Sequence, residues 1–257
     1  MKTPIIIAGA LILSSFASLR ATGFTCTAPP LICKAAANQD RSLYVRDHSR
    51  YQQKIHIERF KLKGNDSEKT EEIRDTTAEV EPATKPDKTG EYPVVVRVIS
   101  DTDKNGHPRR SVDEGEKTFL SFGGVMDLAF FPLLPEKIEY YDFKEVPADR
   151  KGEKWYSFSP KSEATQVPLA SGVVELDVDT GEVMTIKIDG LHNLDKIDKL
   201  AHKVRSFQAT IDYSQFEGAL RMPTLAAGNG VSEVPKFTGN FKFSFQEGKY
   251  VLVSKIQ

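Results

Sequence analysis

The feature that most restricts the fold of this chain is a train of short strand-like segments in its second half. Ile138–Val146, Trp155–Pro160, Val173–Val178, Val183–Ile188, Ser206–Tyr213, Phe237–Phe245 and Val251–Ile256 are β-branched or aromatic. Such residues suit a pleated, half-buried surface. Asp179-Thr180-Gly181 and Glu247-Gly248 supply turn chemistry between neighbours, as antiparallel hairpins require. The first half adds a strand from Tyr51, with Ile55 and Ile57 alternating with charged residues and Phe60 and Leu62 one position out of step. A slip of that kind is the mark of a β-bulge. Glu71 to Val80 reads as a polar strand, and Tyr92 to Ile99 as a continuous β-branched strand buried on both faces. Pro82 to Gly90 is a breaker-rich connection, Asp101 to Pro108 a turn, and Leu191 to Ala201 a helical turn or long loop.

Helix is predicted in two places. Ala35 to His48 has helix-forming composition, with Asp40, Arg41 and Arg46 assigned to the exposed side. Phe119 to Leu134 is the most apolar stretch after the N-terminus, and Val125 to Phe131 within it favours helix over strand. The fold class is therefore mainly β with some α. It is a curved antiparallel sheet, a half-barrel, closed by one or more helices, because a long twisted sheet tends to curl.

The N-terminus reads as a cleaved secretory signal, with an uncleaved N-terminal anchor as the alternative. Lys2 is followed by a charge-free run from Pro4 to Leu19, and Ala17 and Ala21 sit at small-residue cleavage positions. The organisation is a signal peptide over 1–21, a tether over 22–37 and the half-barrel domain over 38–257. Taking Lys2 and Arg20 from 35 basic residues against 36 acidic ones leaves a mature charge of about −3. That balance offers no basic patch for nucleic acid or an anionic membrane surface. An exported chain places the protein in the periplasm or another extracytoplasmic compartment. There Cys26 and Cys33 can form a disulfide, with free thiols as the alternative in a reducing compartment.

Catalytic and metal motifs fail on inspection. Asp101-Thr102-Asp103-Lys104-Asn105-Gly106 copies the first half of a calcium loop, but the closing position is Val112 where a bidentate acid is needed. Asp179-Thr180-Gly181 matches the aspartic-protease tripeptide once, whereas that chemistry needs two carboxylates sharing a proton. The histidines at 48, 56, 107, 192 and 202 form no ligand pair, and His56 reads as a solvent-face residue. No cofactor and no catalytic residue are expected. What remains is apolar. Phe241, Phe243 and Phe245 share one face of a strand, and Phe130 and Leu133 belong to a segment able to cover it. Those five residues are the candidate ligand-binding set. The competing assignment is an ordinary filled core, which apolar periodicity cannot separate from a hollow one.

The order of elements resembles the bacterial outer-membrane lipoprotein-sorting carriers and their relatives. The likeness is carried by Asn38-Gln39-Asp40-Arg41 leading a helix to Tyr51, and by the charged strand Lys54 to Phe60. The Asn105-Gly106 turn and the Phe- and Leu-rich lid segment follow, then Trp155 to Pro160, Gly172 to Glu182 and the terminal strands. The resemblance spans most of 38–257 as a pattern of strands and turns. It implies a half-barrel whose concave apolar surface receives acyl chains, or, as in some relatives, an envelope-stress sensor. The chain departs from the carriers in its length, in its Pro82–Gly90 insertion and in its Phe119–Leu134 segment. The resulting expectation is a non-catalytic binder of lipid or of a lipoprotein's acyl chain, with an envelope protein as a further partner. An interaction or stress-sensing module with a filled core is the alternative, and a hydrolase with an unidentified acid pair the third.

Overall fold

The computed structural model describes residues 26–63, 67–82, 94–109, 123–148, 150–197, 200–216, 218, 220–234 and 237–253. The signal-peptide assignment, the Pro82–Gly90 connection beyond Pro82, the start of the Phe119–Leu134 segment and the end of Val251–Ile256 lie outside these residues.

Helix α1 (Pro30–Asp47) is followed by β1 (Ser49–Lys63), β2 (Ser67–Pro82) and β3 (Val94–Asp103). Helix α2 (Gly123–Phe130) precedes β4 (Tyr141–Val146), β5 (Glu153–Pro160), β6 (Leu169–Asp177) and β7 (Val183–His192). The chain ends with β8 (Val204–Gln215), β9 (Arg221–Val234) and β10 (Phe237–Leu252). Among the described residues the ten strands form one sheet in the order β3-β2-β1-β10-β9-β8-β7-β6-β5-β4. Every neighbouring pair is antiparallel. The curved, unclosed sheet is the predicted half-barrel. It consists of two meanders, β1–β3 and β4–β10, joined where β1 pairs with β10.

Bulges supply the curvature. The register of β1 against β2 shifts between Arg59 and Phe60, where the sequence alternation slips. Further shifts fall between Thr77 and Ala78, Ser171 and Gly172, and Asp212 and Tyr213. Each extra residue bends its strand and increases the local twist.

Several expectations are corrected. Helix α1 begins at Pro30, earlier than Ala35, with proline in the first turn where its missing N–H costs nothing. Glu247-Gly248 is no hairpin turn. Strand β10 runs through it to Leu252, with Lys249 at φ 57°, and the register against β1 shifts between Arg50 and Gln52. The strand β9 is absent from the sequence reading altogether. Finally, β3 is an edge strand, not one buried on both faces. Val95, Val96, Val98 and Ile99 are 36–55 % exposed. A run of β-branched residues carries no mark of whether its strand lies at the centre or the edge of a sheet.

One face of the sheet is apolar along nearly every strand. Phe207, Ala209, Ile211 and Tyr213 of β8 alternate with exposed residues, as a sheet with one wet face demands. Ile32, Ala35 and Ala36 of α1 cover part of the inner face. The continuous stretch Val125 to Leu134, comprising α2 and the loop after it, covers more.

Candidate functional site

Strand β10 places Phe241, Phe243 and Phe245 on the inner face, and β9 explains how their rings fit. Phe241 is opposite Gly230, Phe243 opposite Gly228 and Phe245 opposite Ala226. A Cβ added at Gly228 would lie 2.8 Å from the Phe243 ring, and one at Gly230 2.6 Å from that of Phe241. The rings therefore lie over bare β9 backbone and reach β8, where Phe207 stacks on Phe243 at 5.3 Å between centroids. On the other side Ile55 and Ile57 of β1 are opposite Phe245 and Phe243. Phe130 closes on Phe245 at 5.2 Å. The five predicted residues are thus brought together, and all are buried, from Leu133 at 0 % exposure to Phe243 at 7 %. The space between the sheet and its cover is occupied by these side chains.

The covering stretch is fastened by polar groups that sequence reasoning missed. Gln39 of α1, fully buried, donates from Nε2 to the Phe130 carbonyl at 3.3 Å and accepts at Oε1 from the Leu133 amide at 3.0 Å. The Tyr213 hydroxyl donates to the same Phe130 carbonyl and accepts from Gln39 at 3.1 Å. These bonds satisfy backbone groups that burial would otherwise leave without a partner.

Arg46, assigned to the surface from sequence, is buried. Its guanidinium donates to both carboxylate oxygens of Glu247, at 3.1 and 2.8 Å. It also reaches Asp127 of α2 at 2.6 Å and lies 5.5–5.7 Å from the ring centroids of Tyr51, Phe130 and Phe131. Glu247 further accepts from Gln53 at 2.9 Å and from the Tyr250 hydroxyl at 2.6 Å. Burial pushes the Arg46 pKa down, but the Glu247 charge, with Tyr51 and Asp127, outweighs it and holds the group above the ordinary arginine value. The signal was in the sequence. Gln39, Ser42 and Arg46 stand at i, i+3 and i+7 on one helix face, and that polar stripe is the buried one.

The rejected motifs have structural roles. Asp177 Oδ1 accepts from the Asp179 and Thr180 amides, at 3.1 and 2.7 Å, and Gly181 takes φ +69°. Lys34 and Asn38 of α1 donate to the Asp179 and Thr180 carbonyls, so the Asp-Thr-Gly turn is one of the places where α1 rests on the sheet. Asp101 is held by Arg74 at 2.8 and 2.7 Å and by Thr76 at 3.2 Å. Asp103 caps its own turn, accepting from the Asn105 and His107 amides at 2.8 and 3.0 Å. Cys26 and Cys33 are bridged, with Cα atoms 5.9 Å apart. An open groove of about 510 Å³ is lined by Lys54, His56, Asp75, Asp212, Leu225 and Gln246 among others, and Phe245 is also part of its lining.

No protein-family model matches the chain, and no curated protein matches it. Among solved structures it is similar to a LolA superfamily protein from Nitrosomonas europaea, at 8 % identity and TM-score 0.31, over 86 % of this chain and 94 % of that one. It is also similar to a DUF1329 family protein from Desulfovibrio piger, at 12 % identity and TM-score 0.33, over 87 % and 95 % of the two chains. A domain from Vibrio parahaemolyticus named for outer membrane lipoprotein sorting matches at 9 % identity and TM-score 0.30, over 85 % and 95 %. These likenesses are distant, and the half-barrel stands on this chain's own sheet.

Proposed function

We propose that this protein is an exported, non-catalytic binder of an apolar ligand, a lipid or the acyl chain of a lipoprotein. The ligand is received between the Phe241–Phe245 face and the Val125–Leu134 cover. The observation that carries the reading is the nature of that cover. It is an apolar stretch laid on an aromatic face, tied by a few polar bonds through Gln39, Tyr213 and Arg46. An acyl chain offers the sheet the same kind of apolar surface as the side chains of that stretch. Displacing one by the other exchanges apolar area for apolar area, the ligand's leaving water as the cover's returns to it, at about 25 cal/mol per Å² either way. The exchange is then decided by the smaller polar terms, about 1 kcal/mol per hydrogen bond.

Export is supported by the signal-like residues 1–21 and by the Cys26–Cys33 bridge, which suits an oxidising compartment. Among the described residues no helix is long and apolar enough to cross a membrane. The second reading is an envelope interaction or sensing module whose core never opens. The burial of all five candidate residues favours it.

Titration of the folded protein with a fluorescent fatty-acyl probe separates the two. Saturable uptake is expected. Leu133→Ala loosens the cover and should tighten binding, while Phe243→Leu, which removes the ring and keeps an apolar side chain, should weaken it. If folded wild-type protein takes up no probe, the ligand-binding reading fails and the filled module replaces it.

A further inference from the structure

We draw no further inference here: the strongest candidate, the apolar edge strand β3, whose Val95, Val96, Val98 and Ile99 are exposed, carries nothing because nothing in the structure shows what covers it.

Discussion

Replacing Glu247 by glutamine keeps the shape of the side chain and removes its charge. The carboxylate is 1 % exposed and receives Arg46 twice, Gln53 once and Tyr250 once. After the substitution the Arg46 guanidinium, 7 % exposed, faces an amide that neutralises nothing, and of its two salt-bridge partners only the half-exposed Asp127 remains. Removing one partner of a buried ion pair costs about 3–5 kcal/mol, because the remaining charge stays desolvated. For a chain of this size about 1 kcal/mol moves Tm by about 2–4 °C, so Glu247→Gln should lower it by roughly 6–20 °C. Asp127→Asn removes the other partner, but that carboxylate is 50 % exposed and should cost only about 0–1 kcal/mol. Urea unfolding followed by circular dichroism measures both, with an unchanged m-value as the check that the denatured state is comparable. The Arg46→Met, Glu247→Gln double variant should cost less than the sum of the singles, since it leaves no buried charge. Equal losses for Glu247→Gln and Asp127→Asn, or a Glu247→Gln loss below about 1 kcal/mol, would refute the placement of Arg46 in a closed, dry network.

Gly228→Ala should destabilise by about 1–3 kcal/mol or more in urea, because its Cβ would meet the Gln208 carbonyl oxygen at 2.0 Å as well as the Phe243 ring. Gly248→Ala, with nothing within 4 Å of its Cβ, is the control, and equal effects would contradict the ring-on-glycine packing. His56 is held above the ordinary histidine pKa, chiefly by its hydrogen bond to Asp75 and next by that to Glu58. Its stabilisation should be fully present below pH about 6.5 and fade as pH rises through the raised folded-state value. His56→Gln should remove that step from the stability–pH profile, and an unchanged profile would count against the assignment. Reducing the Cys26–Cys33 bridge, which spans a sequence separation of 7, should cost about 2 kcal/mol by the chain-entropy estimate. Melting curves that superimpose with and without dithiothreitol would show the bridge to be immaterial.

The half-barrel was legible because its evidence is local. Alternation in β1, the slip at Phe60 and the turn at Asp179-Thr180-Gly181 each act over a few residues, and each survives in the fold. Strand β9 was illegible for the opposite reason. Arg221-Met222-Pro223-Thr224-Leu225-Ala226-Ala227-Gly228-Asn229-Gly230 carries proline, alanine and glycine, which propensity assigns to a loop. Those residues are small because phenylalanines of the next strand lie on them, a demand made by tertiary packing and invisible in a window of ten residues. The edge position of β3 failed likewise, since strand order joins residues far apart in the chain. Arg46 was misplaced by reading charge as exposure. Helical spacing with Gln39 and Ser42 would have grouped all three on one face, but the partner that makes burial tolerable, Glu247, lies 201 residues away.

The same packing limits what a ligand can gain. Phe243 rests on Gly228 and stacks on Phe207, so its contacts within the sheet persist whether or not the cover is in place. Phe245, in contrast, meets Phe130 of the cover. On the proposed reading, a ligand entering between the Phe241–Phe245 face and its cover (the trough) replaces contacts of the second kind and leaves the first untouched. Its observed affinity is then its intrinsic affinity multiplied by the fraction of molecules whose cover has lifted. The Gln39, Tyr213 and Arg46 ties lower that fraction through hydrogen bonds to polar groups of the cover, although the Arg46 guanidinium also lies over the Phe130 ring. Substitutions at the ties should therefore shift affinity for every acyl chain by one common factor. Substitutions at Phe245, on the face that the ligand would meet, should discriminate between chains of different length. A tie variant that changed the preference among chain lengths would mean that the polar cluster and the trough are one site, and the separation drawn between them would have to be abandoned.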